Sequence, residues 1–216
     1  MKDEEFVFVK PDEIEKESFR IIGEELEEQG IELKKKQEPY IKRCIHTSAD
    51  FSYALTLTFS KKAIKTLEGL LKEGALVICD TNMALAGINK TALKRLGCEA
   101  HCFMADERIR EMAHKEGITR AAASMQAASK LDGRKIFVIG NAPTALIELD
   151  RLHRDEGFDP DFIIGAPVGF VNVVYAKEQI IKSDIPYIVN RGRKGGSNIA
   201  ACLVNAALYN VENRQL

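Results

Sequence analysis

Along the first forty residues the apolar positions fall four apart. Ile14, Ser18, Ile22 and Leu26 form one stripe between polar neighbours, with Pro11, Asp12 and Glu15 supplying a capping-box start and Gly30 a stop. This spacing predicts an N-terminal helix whose inner face carries Ser18. A hydroxyl at that position either bonds back to the preceding turn or serves a site.

Beyond it, short apolar runs of strand length alternate with helix-like segments. The runs predict strands near 40–46, 53–59, 75–79, 99–104, 135–140, 161–166 and 186–190. Helices are expected near 61–73, 84–96, 106–130 with a break at Gly117, 143–155, 170–182 and 195–210. From about residue 75 strand and helix alternate regularly, which predicts a mainly parallel sheet covered on both faces, an α/β domain of three layers. No linker, repeat or low-complexity tract divides residues 1–216, so a single domain is expected.

In such a sheet ligands bind beyond the carboxyl ends of the strands. Three turns fall there: "IGNAPTAL" at 139–146, with Asn141 and Thr144; "IGAPVGFVN" at 164–172; and "NRGRKGGSN" at 190–198, with Arg191, Arg193, Lys194 and Ser197. Glycines let a backbone approach a ligand, and helix N-termini favour anions. None of the turns has the spacing of a P-loop or a dinucleotide fingerprint. The three cations at 191–194 read either as a solvated turn or as an anion site.

Composition narrows the classes. A formal net charge of -1 argues against a nucleic-acid partner, even though residues 2–38 carry 13 acidic against 7 basic side chains. No apolar run reaches the roughly 18–20 residues of a membrane span, and the acidic start does not resemble a signal peptide, so a cytoplasmic protein is expected. Five scattered cysteines fit reduced thiols, and the Cys98/Cys102 spacing lacks a second pair for zinc. No metal site, H-E-x-x-H pair or G-x-S-x-G elbow is present in the sequence.

Two side chains stand out without an assigned role. His46 lies in "RCIHTSADF", where an expected strand gives way to Thr47, Ser48 and Asp50; it suits a proton donor, a metal ligand or a structural polar group. Arg120 follows Thr119 at the head of an alanine-rich helix and reads either as a surface charge or as a ligand contact.

Taken together, "RCIHTSADFSY", "VICDTNMALAGI", "GITRAAASM", "VIGNAPTAL", "IGAPVGFVN" and "GRKGGSNIAACLVNAAL" resemble, in order and over nearly the whole chain, the precorrin-8X methylmutase family of cobalamin biosynthesis. The resemblance implies a flavodoxin-like, homodimeric fold. It also implies an isomerase that moves a methyl group from C11 to C12 of a corrin-precursor macrocycle, giving hydrogenobyrinic acid, or cobyrinic acid when cobalt is already in the ring. The family's catalytic histidine falls on His46, and its helix serine and post-turn arginine near the macrocycle fall on Ser18 and Arg120.

A [1,5]-sigmatropic methyl shift needs a fixed ring and a proton donor at a ring nitrogen, and no cofactor; any cobalt travels in the substrate. The substrate's acetate and propionate arms would be held by Arg120, Arg191, Arg193, Lys194 and the glycine turns, with Asn141, Thr144 and Ser197 among the contacts. The sequence departs from the family at Tyr175 and Ala176, where Glu-Ser is common. A tetrapyrrole carrier without chemistry, or a protein for a phosphorylated metabolite, would use many of the same features.

Overall fold

Residues 10 and 13–213 are described by a computed structural model. Helix α1 (Ile14–Glu28) follows the first apolar stripe, although its start signal at Pro11 and Asp12 lies outside the described residues. Its buried positions are Phe19, Ile22 and Leu26, while Ile14 is exposed. The inward stripe is therefore rotated by one residue from the expected one, because the ring of Phe19 outweighs a hydroxyl in choosing the buried face.

The expected strand at 40–46 is a helix, α2 (Glu38–Ser48). Tyr40, Ile41, Cys44 and Ile45 are all buried, and pairs of apolar residues four apart make one face of a helix, whereas a strand would bury alternate positions. Pro39 in the first turn favours the helix, which ends at Ala49 in the left-handed conformation (φ 54). The expected strand at 53–59 begins instead as a helical turn, α3 (Tyr53–Thr56), and only β1 (Leu57–Phe59) is extended.

The other elements follow in order: α4 (Ala63–Lys72), β2 (Leu76–Cys79), α5 (Asn82–Gly87), α6 (Lys90–Arg95), β3 (Glu99–His101), α7 (Glu107–Glu116) and α8 (Arg120–Ser129). Then come β4 (Lys135–Ile139), α9 (Pro143–Glu156), β5 (Phe162–Gly165), α10 (Val173–Lys182), β6 (Tyr187–Asn190) and α11 (Ser197–Val211). The helix expected at 84–96 is two, because Asn89 turns the chain and caps α6 by accepting a hydrogen bond from Ala92 N. Gly117 ends α7 in the left-handed region, as its place in the sequence suggests.

The six strands are ordered β1-β6-β5-β4-β2-β3, and every pair is parallel except β1 with β6. The five parallel strands have flavodoxin-like order, with the switch point between β2 and β4. All residues of β4 and β5 are buried, as strands covered on both faces require. One face carries α4, α5, α6 and α11, with α2 packed on α11 and α1 on α2; the other carries α8, α9 and α10. Because Leu57 pairs with Asn190 in antiparallel register, α3 lies at the same edge as the carboxyl ends of the parallel strands. No helix among the described residues is long and apolar enough to cross a membrane.

Candidate active site

The switch point holds an anion supplied by the protein itself. Asp80, just past β2, is buried and accepts backbone hydrogen bonds from Gly140 (2.8 Å), Asn141 (2.8 Å) and Ala142 (2.7 Å) in the turn after β4. Burial pushes its carboxyl up, and the three amides offset only part of that rise. A β-carbon on Gly140 would stand 2.6 Å from Ser197 Cα, so this glycine lets the start of α11 lie directly on the turn. Ser197 is buried there and shares a 2.8 Å hydrogen bond with Thr81.

On the neighbouring helix ends, Thr119 donates to Thr144 at 2.8 Å, joining the start of α8 to that of α9. Asn141 and Arg120 are exposed beside this contact. The Arg120 guanidinium makes no hydrogen bond or ion pair among the described residues.

The loop after β6 is clamped from beneath. Lys177 of α10 is fully buried and donates to the carbonyls of Gly192 and Lys194, both at 2.8 Å. Burial pushes its ammonium down to about 8. Asn190 adds a bond to the Lys194 carbonyl (2.9 Å) and accepts one from Thr56 (2.7 Å). Above the clamp, the Lys194 side chain reaches Asp50 (2.6 Å) and Ser52 (3.0 Å), and this ammonium holds the Asp50 carboxyl below its usual range. Arg191 pairs with Glu178 at 3.1 Å, and Arg193 lies over the exposed ring of Phe170 at 5.4 Å. Two of the three loop cations are thus already paired with carboxylates.

The Asp50 contact ties the end of α2 to the carboxyl edge, and the last turn of α2 carries His46. Its imidazole is exposed and tilted 42° against the Phe19 ring, with centroids 5.4 Å apart. Neither ring nitrogen has a hydrogen-bond partner among the described residues. Next to it, Thr47 donates to Cys202 of α11 at 3.2 Å. Ser18, one residue before Phe19, is half-buried and donates to the Ile14 carbonyl at 2.9 Å, the back-bonded arrangement.

Ser18, His46 and Thr47 therefore belong to one group on α1 and α2. Asn141, Thr144, Ser197 and Arg120 form another around the switch point, and the 191–194 loop joins them through Lys194 and Asp50. Sequence reading missed Phe19, Asp80 and Lys177. Asp80 was legible as an acid directly after an apolar strand; Lys177 had no signal, because a lysine on an amphipathic helix usually faces water. The five cysteines are free thiols, and no cluster of His, Cys, Asp and Glu that could hold a metal occurs among the described residues.

Known proteins resemble this chain over nearly its whole length. The sequence model of a family described as precorrin-8X methylmutase matches residues 13–210. A cobalt-precorrin-8 methylmutase of Leptospira interrogans is 41% identical over 90% of this chain and 91% of its own length. The enzyme of that name in Salmonella typhimurium is 39% identical over 94% and 96%. A precorrin-8X methylmutase of Sinorhizobium sp is 32% identical over 76% and 79%. Among solved structures, a precorrin-8X methylmutase from Thermus thermophilus superposes with a TM-score of 0.83 at 33% identity, covering 94% of this chain and 100% of that one.

Proposed function

The chain belongs to the precorrin-8X methylmutase family, and on that premise we propose that it uses His46 to assist a methyl shift on a corrin precursor. It is an isomerase of cobalamin biosynthesis. The C11–methyl bond breaks as the C12–methyl bond forms, so no atom leaves or enters. A cobalt-containing substrate is supported by the names of the 41% and 39% identical relatives, and the ion then arrives inside the ring.

The observation that carries the reading is the state of His46. An imidazole held at a tilt against the Phe19 ring, with neither nitrogen bonded to a partner among the described residues, is oriented without being consumed. It can lend a proton to a ring nitrogen as the π system is polarised and take it back afterwards, which is worth about 10² to 10⁴-fold. Arg120, without a partner among the described residues, is suited to a carboxylate arm, as is Arg193. Arg191 and Lys194 would first have to leave Glu178 and Asp50. Asn141, Thr144 and Ser197 line the strand-end edge on which the ring would lie, and Ser18 would turn from the Ile14 carbonyl to reach it.

Leu55, Met83, Phe170 and Val171 are large apolar residues exposed at that edge. A flat macrocycle and a second copy of the chain are the occupants this reading assigns to them, in a cytoplasmic homodimer. Tyr175, in the first turn of α10, is also exposed.

A protein for a phosphorylated metabolite fits less well, because the amides best placed for a phosphate at the switch point already hold Asp80. A carrier would bind the pigment without changing it. Incubation with precorrin-8X, followed by its visible spectrum, separates the two: conversion supports the isomerase, and binding without conversion supports the carrier.

A further inference from the structure

Arg43 is 9% exposed, and three of its surfaces are occupied. The Phe19 ring covers one part of the guanidinium at 5.3 Å, the Tyr209 ring lies at 4.8 Å, and Glu15 accepts a 2.9 Å bond from Nη1. Nε is buried without a partner, and Nη2 makes no hydrogen bond among the described residues. Nε and Nη2 together form the side-on fork of a guanidinium, whose two parallel N–H groups match the two oxygens of a carboxylate. A buried donor without a partner is destabilising, so this fork is held at a cost in stability.

Arg43 lines a cleft of about 250 Å³ between α2, α5 and α11, together with Thr47, Gly87, Asn198 and Cys202. No carboxylate is among its lining residues. The amide of Asn205 is spent on Asn89 N (2.8 Å) and the Gly87 carbonyl (2.9 Å), and Thr47 is spent on Cys202, which leaves Arg43 as the charged group of the cleft. Thr47 places this cleft directly beside His46 in the chain.

We propose that the Arg43 cleft is a carboxylate subsite, in which the Nε–Nη2 fork takes one acetate or propionate arm of the macrocycle and so fixes the ring against His46. This rests on the isomerase reading and adds to it an anchor on the same helix as the proton donor, one turn away. Arg43 is a specificity-determining and positioning residue here, and its contacts with Phe19, Tyr209 and Glu15 keep its fork from swinging with the ligand.

The test is a visible-absorption titration with hydrogenobyrinic acid and with the same pigment carrying amides in place of its carboxylates. Wild type, Arg43→Gln and Arg43→Lys are compared. Arg43→Gln should weaken acid binding about 10- to 100-fold, the worth of a charge-assisted bond, and leave the amide form unchanged. Arg43→Lys should recover only part of the loss, since it restores charge without the fork. If the arginine variants fail to fold, Asn198→Asp, which puts a charge at the exposed cleft wall, should weaken the acid form alone. Equal loss of both pigments, or acid binding within twofold of wild type in the variants that fold, overturns the subsite and leaves the isomerase standing. A folded wild type that binds neither pigment overturns both.

Discussion

The Phe19 ring lies 5.4 Å from the His46 imidazole and 5.3 Å from the Arg43 guanidinium, so one side chain of α1 backs both groups of α2 that the proposed reading assigns to the substrate. The first helix is thereby part of the proposed site. Phe19→Ala should cost about 3 kcal/mol of stability by leaving a void, and should lower kcat more than it raises KM. Phe19→Leu should recover most of the stability and less of kcat, because a branched chain fills space without a flat wall. Urea denaturation beside turnover checks this; wild-type kcat in Phe19→Ala would separate α1 from the chemistry.

Asp80 turns the switch point into a closed structural joint. Asp80→Ala leaves three backbone amides without their acceptor, and should destabilise the fold by about 3 kcal/mol or more. Inorganic phosphate should not raise the Tm of wild type, since the turn is already filled. A phosphate-dependent rise in wild-type Tm would favour the phosphorylated-metabolite reading.

Lys177 gives the loop clamp a pH signature. Its ammonium titrates near 8 when folded and near 10.4 when unfolded, so between those values the unfolded chain binds more protons. Stability contributed by this group therefore rises with pH across that window and is flat below it. Relative to Lys177→Met, wild type should gain about 1 kcal/mol from pH 7 to pH 9. Denaturant midpoints of the two proteins at several pH values read this directly; parallel curves would show that Lys177 keeps an ordinary ammonium.

The parallel sheet was legible because β2, β4, β5 and β6 are buried on both faces and so read as unbroken apolar runs, and the glycine turns marked its carboxyl edge. One exception, 40–46, is instructive: seven residues with four apolar positions fit either period, and only the burial of Ile41 beside Tyr40 and of Ile45 beside Cys44 distinguishes helix from strand. His46 was singled out although its element was misassigned, because hydroxyl and acidic neighbours signalled a chain ending regardless of what ended. Internal pairing was not legible. Arg191 and Lys194 looked like free cations until Glu178 and Asp50, 13 and 144 residues away, were placed against them.

The central claim is that His46 supplies the proton. The most direct test is turnover of precorrin-8X by wild type, His46→Ala and His46→Gln, each first shown to be folded and to bind hydrogenobyrinic acid. Both variants should still bind the product and should convert substrate about 10² to 10⁴ times more slowly than wild type. A folded His46→Ala protein that converts substrate at the wild-type rate would contradict the account.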